Sequence, residues 1–425
     1  MLFHRGHVPV QKLIFAFTVS LLWTSFAMAQ QRVPLTIAEA EDLALASEPG
    51  QLALVAQAEA MQERAVAAGQ LPDPVLRVGL VNVPINSGGF STEGMTQAQL
   101  GLRQSFPRGR AQGAVQYRAR ADEFSEGASA RRRDVLEAVR VAWLEAYYSQ
   151  QAQDLLSKSR PFFADLVTIT RSGYAVGRKT QYDVLRAELE LSRLDDRLIE
   201  TSRAKTEAQA ALSRWLGQEA YRSLAMTLPA WRKPPVLQNL QQELVSHPLI
   251  AAAKAGVQAQ QAAVRIAEED KKPGWAIDLG YGYREGFMPD GTPRSDFVSL
   301  SVSVGLPFFS ENRQDRKLAA ALSQRRAAQQ SQAELTARLD SELVAEYGRW
   351  TDLTRRLSLY ETRVLEQSRG QAKAALLAYQ SDAGDFSDVM RGYIDDLNTR
   401  LEHIRLQVER AQSYATLANL GGLEQ

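Results

Sequence analysis

The chain has 425 residues, with 50 lysines and arginines against 49 aspartates and glutamates, and no cysteine. So balanced a charge leaves no nucleic-acid footprint. The lack of cysteine excludes disulfides, thiol catalysis, cysteine metal ligands and amino-terminal lipidation on cysteine. The length accommodates two or three ordinary domains.

The first 29 residues read as a secretory signal peptide. Arg5 and Lys12 supply a positive start, residues 13–26 a short apolar run, and Ala27-Met28-Ala29 a small-x-small cleavage site. The run is too short and wrongly flanked for a membrane anchor. Removing Arg5 and Lys12 from the 50 basic residues leaves 48 against 49 acidic ones, a net charge of −1.

A first unit spans residues 30–217. Thr36 and Glu39 form a capping box that opens a helix running to about residue 70. A β-hairpin is predicted over 75–106. Its first strand, 75–83, carries Leu76, Val78 and Leu80 on one face. Its second, 97–106, sets Ala98, Leu100, Leu102 and Phe106 against Gln97, Gln99, Gly101, Arg103 and Ser105. A long helix follows over 108–172, which Pro161 should kink without ending. A second helix covers 183–216. A linker or equatorial segment, 218–237, leads to the second half.

The second unit, 238–425, repeats this order at an offset of about 200 residues. Ser47-Glu48-Pro49 recurs as Ser246-His247-Pro248, and Pro72, Pro107, Tyr174 and Asp183-Val184 recur as Pro273, Pro307, Tyr379 and Asp388-Val389. The elements are a helix over 238–272, a hairpin over 275–306, a long helix over 310–378 and a last helix over 386–420. Strand 275–283 sets Trp275, Ile277, Leu279, Tyr281 and Tyr283 against Ala276, Asp278, Gly280 and Gly282. Strand 297–306 is the clearest: Val298, Leu300, Val302, Val304 and Leu306 point one way, and Phe297, Ser299, Ser301, Ser303 and Gly305 the other. In a soluble protein the apolar face would lie on a core and the serines would face outside water; on a membrane barrel the apolar face meets lipid and the serines a watery lumen, and the strand alone fits both.

Each long helix would be about 100 Å at about 1.5 Å per residue. The shorter helices of a unit, laid end to end, match one long one, which predicts a wall of continuous and spliced rods. Four strands cannot close a barrel, and their open edges demand further copies. Three copies give twelve strands, an even number suited to an outer-membrane barrel.

The signal peptide, the duplicated halves, the S-x-P starts and the junctions Pro107-Arg108-Gly109 and Pro307-Phe308 resemble the TolC family of outer-membrane efflux proteins. So do Tyr174…Gly177…Asp183-Val184-Leu185 and the helix end Leu216-Gly217. Asn82-Val83-Pro84, Gly94-Met95-Thr96-Gln97 and Ser105-Phe106-Pro107-Arg108-Gly109 most resemble its CzcC/CusC-type heavy-metal branch. The resemblance implies a mostly helical protein with a membrane β-barrel: a TolC-like homotrimer with four strands per protomer and a long periplasmic helical tunnel. It implies outer-membrane lipid, a periplasmic adaptor and an inner-membrane transporter, RND-type for this branch, as partners. No cofactor, enzymatic activity or nucleic acid is implied.

Three sets of residues carry the expected duct function. Tyr174 and Gly177 in the first helix–helix turn, with Tyr379 and Gly384 in the second, form the periplasmic tip that docks the adaptor. Asp388 matches an acidic position at the closed entrance of family members, so three copies would make a carboxylate ring that attracts cations. Asp382 and Asp385 add to it. Arg391 stands where a second acid is often found, and Arg186 follows Asp183 in the same spacing, so Asp–Arg pairs across subunits would act as a latch. Arg77, Gln99, Arg103, Asp278, Ser299, Ser301 and Ser303 would line the barrel lumen, with Trp275, Phe106 and Phe308 as an aromatic girdle. His247 and His403 lie far apart in sequence, and Met95 and Met288 fall in external loops, so no metal site is expected.

No nucleophile–histidine pair, phosphate loop or metalloprotease helix occurs. The expected function is an exit duct for heavy-metal cations. Drug or multidrug efflux and type I protein secretion are alternatives within the class, and a soluble periplasmic coiled-coil scaffold is a remote one.

Overall fold

The computed structural model describes residues 33–46, 48–381 and 383–423. The predicted signal peptide, Ser47 and Asp382 lie outside the described residues.

Proline sets the start of each unit. α1 (Ile37–Leu45) opens with the Thr36 hydroxyl accepting from the Glu39 amide. The predicted single helix to residue 70 is instead two: α1 ends at Leu45 and α2 (Pro49–Gly69) begins anew. The reason is local: proline disfavours helical geometry in the residue before it and fits the first helical position. Glu48 is accordingly extended and caps α2 through its carboxylate, which Arg131 also grips at 2.9 Å. Proline 248 does the same in the second unit.

Two hairpins build one sheet. β1 (Val75–Val81), β2 (Gln97–Phe106), β3 (Gly274–Tyr283) and β4 (Phe297–Gly305) are antiparallel in the order β1-β2-β3-β4. The first strand stops short of the predicted residue 83 because Asn82 turns left-handed, φ 58°. Its amide group donates to the Met95 carbonyl at 3.2 Å, and the Thr96 hydroxyl donates back to the Asn82 carbonyl at 2.8 Å.

The strand-to-helix junction explains the Pro107-Arg108-Gly109 motif. Arg108 reaches across to donate to the carbonyls of Asp270 and Lys272. Gly109 takes φ 72°, a turn that glycine makes without strain, and α3 (Arg110–Ala175) departs. The helix thus starts two residues later than predicted. It continues through Pro161 for 66 residues, about 99 Å. α4 (Gln181–Leu216) runs back along it. A short 3-10 turn, Gly217–Tyr221, and an extended strap follow.

In the second unit, α5 (Leu237–Leu244) and α6 (Pro248–Glu269) replace the predicted single helix. α7 (Gln314–Leu359) passes through a π turn, Tyr360–Val364, into α8 (Leu365–Gln380). That rod begins at 314 rather than 310. α9 (Phe386–Gly421) returns. α3 packs against α2, α4, α6 and α9, while α7 packs against α6, α5 and α9. Continuous rods therefore alternate with spliced ones.

Two of the cores that hold this wall lie at its middle and near its tip. Around its middle, Leu35, Val135, Val139, Trp143, Leu144 and Leu212 are fully buried. The Trp143 indole donates to the Leu35 carbonyl at 3.2 Å, and Glu41 pairs with Arg140 at 2.8 Å beneath Trp231. Near the tip, Phe163, Leu166, Ala187, Phe386, Val389 and Met390 join α3, α4, α8 and α9.

Candidate channel surfaces

The strand register puts the polar strand positions on one side, apart from Gln104, which lies on the side of Leu102 opposite Ile277. Arg103, Asp278 and Ser301 lie in one row across β2, β3 and β4; Arg77, Gly101, Gly280 and Ser299 lie in the next; Gln99 and Gly282 in the one after. This side is concave and lines a hollow of about 460 Å³. Asp278 is its centre. Arg77 and Arg103 each approach its carboxylate at 3.8 Å, and the Ser303 hydroxyl donates to it at 3.4 Å. The predicted lumen residues therefore do come together.

The opposite side is apolar and uncovered. Leu76, Leu102, Leu279 and Leu300 form a single row from edge to edge, with Leu300 70% exposed. Val78, Val298, Val302 and Val304 are exposed with them. A contiguous apolar patch of this kind on a sheet marks contact with another apolar phase. Aromatic residues frame it. Trp275 stacks on Phe106 at 4.0 Å at the helix end, beside exposed Phe308 and Phe309, and Tyr281 and Tyr283 stand at the far end. From Trp275 to Tyr283 is about 26 Å along the strand, or about 20 Å along a barrel axis at a tilt of roughly 40°. That is close to the apolar band of an outer-membrane barrel. Both β1 and β4 keep one edge unpaired among the described residues.

External loops 82–96 and 284–296 are bound together by two arginines that sequence reasoning did not single out. Arg284 donates to the Gly94 carbonyl at 3.1 Å, and Arg294 to the Ser91 and Glu93 carbonyls at 3.1 Å each. Met95 and Met288 lie exposed in these loops. Among the described residues no group of three histidines or carboxylates is placed to hold a metal ion, and no helix is long and apolar enough to cross a membrane. His247 is buried and caps α6, its Nδ1 accepting from the Leu249 amide.

At the far end of the rods lie the two tip turns. Gly177 adopts φ 74°, as the end of α3 requires. Thr180 and Asp183 form a reciprocal capping box on α4, so the Asp183 carboxylate is engaged within its own turn. In the second turn Gly384 serves differently: a Cβ there would meet Ala378 at 3.0 Å, so glycine permits close approach of the backbone. Asp388 and Arg391 approach at 3.8 Å on one exposed helix face, and Asp385 stands exposed before α9. Arg186 has no ion pair among the described residues. One contact gave no sequence signal: the Lys179 ammonium lies 4.1 Å from the Tyr379 ring centre and joins the two turns. Tyr174 is half exposed beside them.

No family model matches the chain. It is 25% identical over 321 residues to Protein CyaE of Bordetella pertussis, covering 72% of this chain and 66% of that protein. It is 24% identical over 282 residues to the cobalt-zinc-cadmium resistance protein CzcC of Cupriavidus metallidurans, covering 66% and 64%. The chain thus matches somewhat less than two thirds of these relatives' length. Among solved structures, the outer-membrane channel OprN superimposes with a TM-score of 0.76 at 17% identity, over 91% of this chain and 90% of that one. The chain shares the fold of that channel.

Proposed function

We propose that three copies of this chain pool their sheets into one twelve-stranded barrel in the outer membrane, with the rods as a tunnel into the periplasm. In this reading the assembly is the exit duct of a tripartite efflux system, joined through a periplasmic adaptor to an inner-membrane transporter. The reading rests on one observation above others: a four-stranded sheet with an exposed leucine face, a polar concave face and two free edges. A cleaved signal peptide ending at Ala29 would deliver the chain, with no lipid on cysteine. Heavy-metal cations exported by an RND-type pump are the cargo we favour, supported by the likeness to CzcC and by the loop motifs.

The tip turns are the docking surface for the adaptor, through Tyr174, Gly177, Tyr379 and Gly384. Asp385 and Asp388, with Asp382, supply carboxylates to a gate that Arg391, Arg186 and Asp183 help to latch. The test combines extraction and genetics. The protein should resist extraction without detergent, run as a heat-sensitive trimer on gels and conduct in planar bilayers. Deleting the gene should sensitise cells to zinc, cobalt or cadmium salts. Lost resistance to lipophilic drugs with unchanged metal resistance would overturn the cargo, and a water-soluble monomer would overturn the duct.

A further inference from the structure

We infer that Arg77, Arg103 and Asp278 are a charge filter that makes the barrel favour anions over cations. The inference rests on the duct reading. These three are the only charged side chains on the four strands, and all three lie on the concave side. One carboxylate is shared by two guanidiniums at 3.8 Å each, so every protomer carries one uncompensated positive charge there.

The surroundings are built for this arrangement. In the row of Arg77 the next two positions are Gly101 and Gly280, which have no side chains to obstruct a guanidinium stretching toward Asp278 on β3. Ser301 faces Asp278 across the ladder, and Ser303 donates to the carboxylate, so one hydroxyl holds Asp278 beside the two cations. Asp278 thereby anchors the arginines to the wall, while Arg77 keeps 62% of its side chain open to the hollow. No other carboxylate on the strands offsets them.

Three copies would set three such net charges around one ring. A water-filled passage with low-dielectric walls focuses such a field, and a ring of one sign raises the local concentration of the opposite ion. The effect reaches about 8–10 Å at physiological salt, so it acts within the barrel and not along the tunnel. Free divalent cations are not enriched at this level, so a metal cargo would cross it by the outward drive of the pump and not by attraction to the wall. Small anions and anionic metal complexes are the most favoured.

The test is the reversal potential of the purified full-length protein in planar bilayers across a potassium chloride gradient. The wild-type chloride-to-potassium permeability ratio should exceed one. In Arg77→Gln/Arg103→Gln it should fall by about two-fold or more, and in Asp278→Asn it should rise. A wild type that favours potassium, or a ratio that neither variant moves, would overturn the filter. Failure to form heat-sensitive trimers or any conducting channel would instead overturn the duct reading on which it stands.

Discussion

Leu300 and Ser301 are adjacent on β4 and point to opposite sides of the sheet, so one substitution placed at each separates lipid from lumen. Leu300 ends the leucine row that includes Leu279, midway between Trp275 and Tyr283. Leu300→Arg would therefore put a guanidinium near the middle of the apolar band. For a transmembrane barrel this costs about 2–4 kcal/mol. On a sheet facing water the same change would lie within about 0.5 kcal/mol. Ser301→Arg instead enters the hollow opposite Asp278, where water and a carboxylate receive it, and it should change stability little. Urea titration of protein folded into lipid vesicles, read by tryptophan fluorescence or heat-modifiable gel mobility, measures both. Equal stability of the two variants would refute the assignment of faces.

Trp143→Ala should destabilise by about 3–5 kcal/mol, because the indole is fully buried and its removal leaves a cavity and an unpaired Leu35 carbonyl; a melting temperature unchanged in detergent would contradict the equatorial core. His247 is held below its ordinary pKa chiefly by burial, with the nearby Arg133 charge adding to it. The unfolded chain therefore takes up a proton at about pH 6.5 that the folded chain refuses, so stability is full above that value and declines as the pH falls below it. Thermal unfolding between pH 8 and pH 5 should show this slope (roughly the window set by an ordinary histidine), and His247→Gln should flatten it. Gly177→Val places a β-branched residue at φ 74° and should strain the tip by about 1–2 kcal/mol. The trimer should still form while efflux is lost in a complementation assay; full complementation would argue against a role for this turn.

Much of the molecule was legible in the chain. Alternation of period two placed the β2 strand at 97–106, and the side-chain faces follow from it directly, since a strand cannot turn one residue without flipping all the others. The repeat order likewise located the helices. The S-x-P starts were read as landmarks and not as breaks, although Pro49 and Pro248 interrupt the helices there. The π turn at Tyr360–Val364 has no sequence signature, because it depends on how the rod fits its neighbours.

What the sequence determined is thus the inventory: which residues face which side of each strand, and the order of strands and rods along the chain. Tertiary structure decided which of those residues meet. The gathering of Arg77, Arg103 and Ser303 on Asp278 spans both halves of the chain and arises only when β2 pairs with β3. The Lys179–Tyr379 contact likewise joins two turns about 200 residues apart. Periodicity is a property of neighbours along the backbone, whereas an ion pair depends on distances that only chain closure sets.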